Sequence, residues 1–94
     1  MTKSAKKSKE LVNKFAALGD QNRYRIMMIL TNDDDICVSG VAAKIGISTA
    51  GTSQHMKILE QAGLIKKMRK GQKICYQVDT ADPKNIKILR MVMD

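Results

Sequence analysis

The sequence predicts a mostly helical α+β fold, and three observations carry this prediction. Apolar residues recur at helical spacing in about five segments of the chain. Two of these segments are joined by a tight turn at Gly46 and Ile47. After Gly63 the apolar period changes from that of a helix to that of a strand. A short strand hairpin is therefore expected beside the helices, within a short three-stranded antiparallel sheet.

The length and charge of the chain indicate its size class and its partner. Ninety-four residues are expected to form a single domain over positions 1–94. Seventeen Lys and Arg residues against nine Asp and Glu residues give a formal net charge of +8, which favours a polyanionic partner. Aromatic residues are too few for stacking on single-stranded nucleic acid, and a basic amphipathic helix with aromatic anchors for a membrane surface is missing. Double-stranded DNA is the expected partner.

No apolar run in the sequence approaches the length of a membrane span, and the first ten residues lack the apolar centre of a signal peptide. We therefore expect a cytoplasmic location and no membrane partner. Positions 1–8 are rich in lysine and predict a flexible basic arm. That arm either adds phosphate contacts or is a solvated tail.

The first two helices are predicted from apolar spacing and from their end signals. The first covers about 8–18 and ends at Gly19. Asp20 is expected to cap the second, which runs to about Thr31. This second helix is apolar over most of its surface, so it is predicted to form the centre of the core.

A short strand and a pair of helices follow. Residues 36–38 are predicted as a strand because two of the three are β-branched. Ser39 is predicted to cap a helix that ends at Gly46, since glycine tolerates the left-handed backbone of a tight turn. Ser48 is then expected to cap a longer helix over 49–62.

The longer helix has two different sides. Thr52, Met56 and Leu59 have the spacing of a core-facing stripe. A solvated helix usually carries Glu/Lys pairs, whereas the opposite side here is small, polar and mostly uncharged. Such a surface suits a helix that enters the major groove and reads base edges, although an ordinary helical hairpin is the alternative. The residues on this side are Thr49, Ala50, Ser53, Gln54 and Lys57.

The predicted hairpin has strands at 64–69 and 72–78 around Lys70 and Gly71, and its tip is basic. A basic hairpin directly after a reading helix forms a wing that grips phosphates or the minor groove, and a merely solvated tip is the alternative. The second strand is expected to alternate, with Ile74, Tyr76 and Val78 toward the core and Cys75 and Gln77 outward. The basic residues of the wing are Lys66, Lys67, Arg69, Lys70 and Lys73.

The last helix is predicted to begin with Asp82 as its cap and Pro83 as its first residue. Six apolar residues then crowd into positions 86–93, with no further chain to cover them. Either the helix folds onto its own domain or it pairs with a second copy. Together with the apolar first helix, this pattern favours a symmetric dimer, which would place two reading helices about one DNA turn apart.

In this order of elements the sequence resembles the ArsR/SmtB family of winged-helix transcriptional repressors. The resemblance covers nearly the whole chain from Phe15 onward. The run Ser-Gln-His-Met-Lys-Ile-Leu at 53–59 with Ala-Gly-Leu-Ile at 62–65 is fairly specific in combination. Further matches are Phe-Ala-Ala-Leu-Gly-Asp at 15–20 with Arg23, Arg25 and Ile26, the segments 36–38 and 41–48, and Gly71 with Tyr76.

The resemblance implies a winged helix-turn-helix homodimer joined through its first and last helices. It also implies operator DNA read by the helix at 49–62, with the wing on the DNA backbone. Lys57, Arg69, Lys70 and Lys73 are predicted DNA-binding residues from the residue patterns above. Carried over position by position, the resemblance implies Thr49, Ala50, Thr52, Ser53, Gln54 and His55 as DNA contacts, and four of these already lie on the groove-facing side by their spacing.

Two residues depart from the family's pattern, and a third has an ambiguous role. Thr52 stands where the family usually buries valine. Gly51 lies inside the reading helix, at about 1 kcal/mol less favourable than alanine. For His55, a packed or phosphate-bonding role is favoured over base reading.

Metal sensing, common in this family, is not expected here. One family site uses a Cys-Val-Cys run at the strand-to-helix junction, but Ser39 follows Cys37 and Val38 in this chain. Another family site uses acids and histidines on the last helix, which has no histidine here. A zinc or soft-metal site needs about four good ligands. The sequence therefore predicts neither a metal nor another cofactor.

Two cysteines suggest a separate hypothesis. In a winged helix the short first strand usually pairs with the last strand of the wing. Cys37 and Cys75 are therefore predicted to lie close together on the same outer face, as a reversible redox pair. The alternative is two unrelated thiols that stay reduced in the cytosol.

The predicted function is a dimeric, sequence-specific transcriptional regulator, specifically a repressor. A low-specificity architectural DNA-binding protein and a winged-helix protein-interaction module are the alternatives. An enzyme is not expected, because the chain has one histidine and no glycine-rich loop that could cradle phosphates.

Overall fold

The computed structural model describes the backbone of residues 2–33 and 36–93 and the side chains of residues 8–33 and 36–93. Within these ranges the strands form one antiparallel sheet in the order β1-β3-β2. The mostly helical α+β class with a winged helix-turn-helix is confirmed. The elements are α1 (Thr2–Leu18), α2 (Gln21–Asn32), β1 (Ile36–Cys37), α3 (Val38–Ile45), α4 (Thr49–Gln61), β2 (Ile65–Lys70), β3 (Lys73–Val78) and α5 (Pro83–Met93).

Helix α1 begins at Thr2, so its predicted start at position 8 is wrong. The segment 2–8 contains only Thr, Lys, Ser and Ala, with neither proline nor glycine to stop a helix. Extending an existing helix by such residues costs far less free energy than nucleating a new one. The backbone of the predicted arm is therefore helical from Thr2. The role predicted for its basic side chains at positions 1–7 lies outside the described residues.

Helix α2 lies at the centre of the core, as its composition predicts. The predicted cap is confirmed, because Asp20 Oδ1 accepts a hydrogen bond from the Arg23 amide at 3.0 Å. This bond lowers the pKa of Asp20 below its ordinary value of 3.8. Thirteen buried residues from every element except α5 form one apolar cluster. They are Ala17, Ile26, Met27, Leu30, Ile36, Val41, Ile45, Met56, Leu59, Leu64, Ile65, Tyr76 and Val78.

The wing hairpin joins β2 and β3, with Ile65 opposite Val78 and Lys70 opposite Lys73. Its turn is at Gly71 and Gln72, one residue later than predicted. Gly71 has a φ of 64° and Gln72 has a negative φ. A positive φ at the first central residue alone is the pattern of a type II′ turn, which matches the twist of the flanking strands.

The outward and inward sides of β3 are only partly as predicted. Tyr76 and Val78 face the core. Ile74 was predicted there too but is 39% exposed, because it lies near the hairpin tip beyond the reach of the core. Cys75, predicted to face outward, is only 3% exposed. Its register partners, which share its side of the sheet, are Cys37 on β1 and Met68 on β2.

Helix α5 begins as predicted, with Pro83 as its first residue and Asp82 Oδ1 accepting a hydrogen bond from the Lys84 amide at 3.0 Å. Ile88 packs inward and is buried. Met91 and Met93 are 63% and 53% exposed, so the apolar surface of α5 is only partly covered by its own chain. None of the helices within the described residues has the length and apolar character needed to cross a membrane.

Candidate nucleic-acid interface

The turn between α3 and α4 sets the direction of α4. Gly46 has φ 78° and ψ 31°, the left-handed conformation predicted for it, and its amide donates to Ala42 O at 2.9 Å. Ser48 caps α4 as predicted, because its Oγ accepts from the Gly51 amide at 3.0 Å. Two local signals therefore end α3 and start α4 within three residues.

The cap predicted for α3 is wrong. The helix begins at Val38, with Cys37 in the N-cap position and without a hydrogen bond from the Cys37 side chain. Ser39 is therefore one residue inside the helix. Strand β1 ends at Cys37 instead of Val38, since pairing with β3 extends over only two residues.

The inner face of α4 is the apolar stripe expected from its spacing. Met56 and Leu59 are fully buried among the core residues. Thr52 is also 0% exposed, and its hydroxyl donates to Ser48 O at 2.9 Å. The prediction that Thr52 contacts DNA is therefore wrong, because a side chain with no exposed surface cannot touch a ligand. Its place in the core stripe, predicted from the same spacing, is correct.

The outer face of α4 carries the other candidate contacts. Four are exposed, namely Thr49, Ala50, Gln54 and Lys57. Ser53 and His55 are half-buried at the margins of this face. The first turn of α4 contains no acidic residue. This surface therefore offers hydroxyl, amide and ammonium groups without a carboxylate near the start of the helix.

The candidate residues of the wing lie at its tip. Arg69, Lys70 and Lys73 are exposed, and the last two are opposite each other beside the turn. Lys67 differs from them, because its Nζ lies over the ring of Tyr76 at 6.0 Å from the ring centre. The tip thus carries positive charge on three exposed side chains. The ammonium group of Lys67, further along β2, lies against Tyr76.

A contact between residues far apart in the sequence holds His55. Arg23 Nη1 is 3.2 Å from His55 Nδ1, and Arg23 Nε donates to Ala17 O at 2.6 Å. Because a guanidinium group has only donors, Nδ1 must accept, and the imidazole then carries its proton on Nε2. Arg23 therefore joins the end of α1 and the start of α2 to α4. In the sequence, its position three residues after the cap Asp20 and its place in the family resemblance both marked it.

A second contact of this kind, not predicted from the sequence, fixes the chain just after α4. Asn85 on α5 is fully buried, and its Nδ2 donates to Gly63 O at 2.9 Å and to Asp79 O at 2.8 Å. Lys14 Nζ on α1 also donates to Gly63 O, at 3.2 Å. The sequence held one clue, a lysine on the otherwise apolar stripe of the first helix.

Cys37 and Cys75 are directly opposite each other across β1 and β3, and both are thiols. Elsewhere, no group of three or more His, Cys, Asp or Glu residues within the described ranges is arranged to hold a metal ion.

Comparison with known proteins agrees with this architecture. The model of bacterial regulatory proteins of the arsR family matches residues 20–67. The chain is 35% identical over 78 residues to the cadmium resistance transcriptional regulatory protein CadC of Listeria innocua, covering 83% of this chain and 61% of CadC. It is 37% identical over 68 residues to the transcriptional repressor SdpR of Bacillus subtilis, covering 72% of this chain and 74% of SdpR.

A solved structure confirms the fold independently. The homodimeric winged helix-turn-helix DNA-binding domain of a possible ArsR-family transcriptional regulator from Mycobacterium bovis matches with a TM-score of 0.86. That match covers 99% of this chain and 83% of the other at 19% identity, which shows the fold alone. The chain spans about three-fifths of the length of CadC. On the family match and the likeness to SdpR, the chain belongs to the arsR family of bacterial regulatory proteins.

Proposed function

We propose that this protein is a dimeric, sequence-specific DNA-binding transcriptional repressor. The observation that carries the proposal is that α4 has one buried face and one exposed face, and that its first turn contains no acidic residue. Residues near the N-terminus of a recognition helix reach base edges in the major groove. The relatives named as transcriptional regulators and repressors support the same function.

Base reading is assigned to the outer face of α4. The amide of Gln54 can pair bidentately with the N6 and N7 edge of adenine, while the hydroxyls of Ser53 and Thr49 can bond several bases. Ala50 offers a methyl group to the C5-methyl of thymine. Lys57 lies further along the helix and is suited to a phosphate. Thr52 has no part in this interface because it is buried.

Phosphate contacts are assigned to the wing and to His55. Arg69, Lys70 and Lys73 provide the sequence-independent attraction that supplies much of the affinity of DNA-binding proteins. His55 presents its Nε2–H as a donor to a phosphate oxygen, and Arg23 holds the ring in that tautomer. These contacts fix the register of α4 in the groove.

Dimerisation is assigned to α1 and α5 with a second copy of this chain as the partner. A groove of about 500 Å³ between these helices is lined by Leu11, Phe15, Ile88 and Met91 among others. Phe15 is 48% exposed, and continuous apolar surface of this kind is typical of protein interfaces. The related domain from Mycobacterium bovis is described as homodimeric. Two reading helices would then address half-sites about 34 Å apart.

We place the protein in the cytoplasm, where it would meet its operator, with neither a membrane partner nor a cofactor. A low-specificity architectural protein and a protein-interaction module are the competing functions. Selection of duplexes from a random pool, followed by competition at one fixed salt concentration, separates the three. A repressor should prefer its selected duplex over random duplex by about a thousandfold or more.

Two substitutions test the residue assignments. Gln54→Ala should cost about 1–3 kcal/mol on the selected duplex and relax specificity at one base pair. Lys73→Ala should weaken binding to all duplexes alike and lower the salt slope by about one. Gln61→Ala, exposed at the far end of α4, is the matched control and should bind normally. An absence of preference would indicate the architectural function. An absence of DNA binding at low salt would indicate the protein-interaction module.

A further inference from the structure

The β1–β3 pair brings the two cysteines of the chain together. Cys37 ends β1 and Cys75 lies in the middle of β3, and the two are Cα partners in the antiparallel register. The neighbouring pair, Ile36 and Tyr76, is part of the core. Since successive residues of a strand point to opposite faces, both cysteine side chains lie on the face away from that core.

The spacing of such a pair suits a disulfide bond. Directly opposite residues of antiparallel strands have Cα atoms about 4.5–5.5 Å apart. Disulfide bonds span Cα separations of about 4.4–6.8 Å. The bond between Cys37 and Cys75 therefore needs side-chain rotation only, and the register of the sheet is already the one that it requires.

The two sulfur atoms differ in their access to solvent. Cys37 is half-buried at the edge of the sheet, whereas Cys75 is 3% exposed. On the other side of Cys75 its partner is Met68 of β2, so Cys75 is flanked by sulfur-containing side chains on both neighbouring strands. A small oxidant therefore reaches Cys37 first, and Cys75 is close enough to react with the oxidised product.

We propose that Cys37 and Cys75 form a site for hydroperoxides that closes to an intrachain disulfide. The Cys37 thiolate attacks the peroxide oxygen, the O–O bond breaks, and Cys37 becomes a sulfenic acid while water or an alcohol leaves. The Cys75 sulfur then attacks the Cys37 sulfur, and the S–O bond breaks with release of water. The two sulfurs together lose two electrons, which reduce the peroxide, and both thiol protons end in the released molecules.

The disulfide joins the residue before α3 to the central strand of the wing sheet. It thereby couples the helix-turn-helix to the wing, the two parts assigned to DNA. Because the reduced register already suits the bond, the oxidised chain keeps its shape and is more resistant to heat. The part that concerns DNA rests on the proposed function, and there we expect reduced and oxidised protein to differ by no more than about twofold in affinity.

The chemical test uses the full chain. Reduced protein, freed of reductant, is treated with hydrogen peroxide at low protein concentration, and the remaining thiols are alkylated. The expected result is a mass lower by two hydrogens without alkyl groups, a single cross-linked peptide that joins positions 37 and 75, and a higher melting temperature that dithiothreitol reverses. Two alkylated thiols after excess peroxide, or cross-links between chains alone, would overturn the proposal.

Single variants test the order of the steps. In Cys75→Ala, Cys37 should accumulate as a sulfenic acid that a dimedone probe traps. In Cys37→Ala, Cys75 should remain an unmodified thiol under the same treatment. A faster dimedone reaction at Cys75 than at Cys37 would contradict the assigned order. The melting temperature of each reduced variant checks its fold, and peptide mapping of the unsubstituted chain decides the pairing in any case.

Titration of the selected duplex with both forms separates this inference from the proposed function. If reduced protein binds no duplex while the disulfide forms, the proposed function fails and the cysteine site stands. If DNA binding is intact while both thiols remain after peroxide, the cysteine site fails alone. A tenfold or greater loss of affinity on oxidation would refute the retention of shape.

Discussion

Lys14 Nζ on α1 donates a hydrogen bond to Asn85 Oδ1 on α5 at 2.8 Å, and both side chains are almost completely buried. The same Nζ is 3.1 Å from Asp82 Oδ2. The positive charge is thereby neutralised and its donors are used, which is how a protein tolerates a buried lysine. This contact links the two helices that we assign to the dimer interface.

Substitution of Lys14 by methionine should destabilise the protein. The methionine keeps most of the volume but leaves Asn85 Oδ1 buried without its donor, which costs about 1–3 kcal/mol. Urea denaturation at one fixed protein concentration measures the free energy of unfolding. Lys44→Met, at an exposed position on α3, is the control and should change that energy by less than about 0.5 kcal/mol. Equal denaturation midpoints for both variants would show that the buried contact adds nothing.

Asp82 should make the stability of the protein depend on pH in the acid range. Partial burial raises the pKa of Asp82, but hydrogen bonds from the Lys84 amide and from Lys14 outweigh this, and the net pKa lies below 3.8. A lowered folded-state pKa gives stability that is present above 3.8 and is lost as the pH falls through the lower value.

Asp82→Asn tests this dependence while it keeps an oxygen that can cap α5. The variant should be less stable than the unsubstituted protein at about pH 6, and the difference should shrink toward about pH 3. Denaturation curves at both pH values measure it. A difference that stays constant with pH would assign the contribution of Asp82 to its shape instead of its charge.

Two serines near the helix-turn-helix differ in their predicted effect. Ser48→Ala removes the cap of α4 and should cost about 1 kcal/mol of stability. Ser39→Ala, one residue inside α3 and exposed, should change stability by less than about 0.5 kcal/mol. Thermal denaturation followed by circular dichroism compares the two. If Ser39→Ala proved the more damaging, the assigned cap positions would be wrong.

The apolar face of α1 and α5 should control the oligomeric state. Met91→Glu places a charge on this face and should shift the protein from dimer to monomer, with loss of affinity for the selected duplex. Ile74→Glu is the control, since Ile74 is an exposed apolar residue of the wing and belongs to neither helix. Analytical ultracentrifugation measures both variants. A dimer that survives Met91→Glu would place the interface elsewhere.

Local signals in the sequence determined the boundaries of most elements. Gly46 adopts a left-handed backbone, while Asp20, Ser48 and Asp82 accept hydrogen bonds from amides near the start of their helices. These features depend on residues within about four positions of one another. Helix caps and turns of this kind can therefore be predicted from short segments of sequence without knowledge of the fold. The start of α1 was predicted too late, because residues 2–8 lack the apolar spacing from which that helix was predicted. They also contain no proline or glycine to stop a helix, so the helix extends through them.

The tertiary structure alone decided which side chains meet across long stretches of chain. Arg23 and His55 are 32 positions apart, and Lys14 and Asn85 are 71 apart. Strand periodicity correctly assigned Cys75 to the face away from the core, but only the structure shows that it is buried there, at 3% exposure. Likewise, helical spacing placed Thr52 in the core stripe. Only the structure shows that Thr52 is completely buried and therefore not a DNA contact. Sequence pattern reports which face a residue occupies, whereas the packing of other elements on that face determines whether the residue stays accessible.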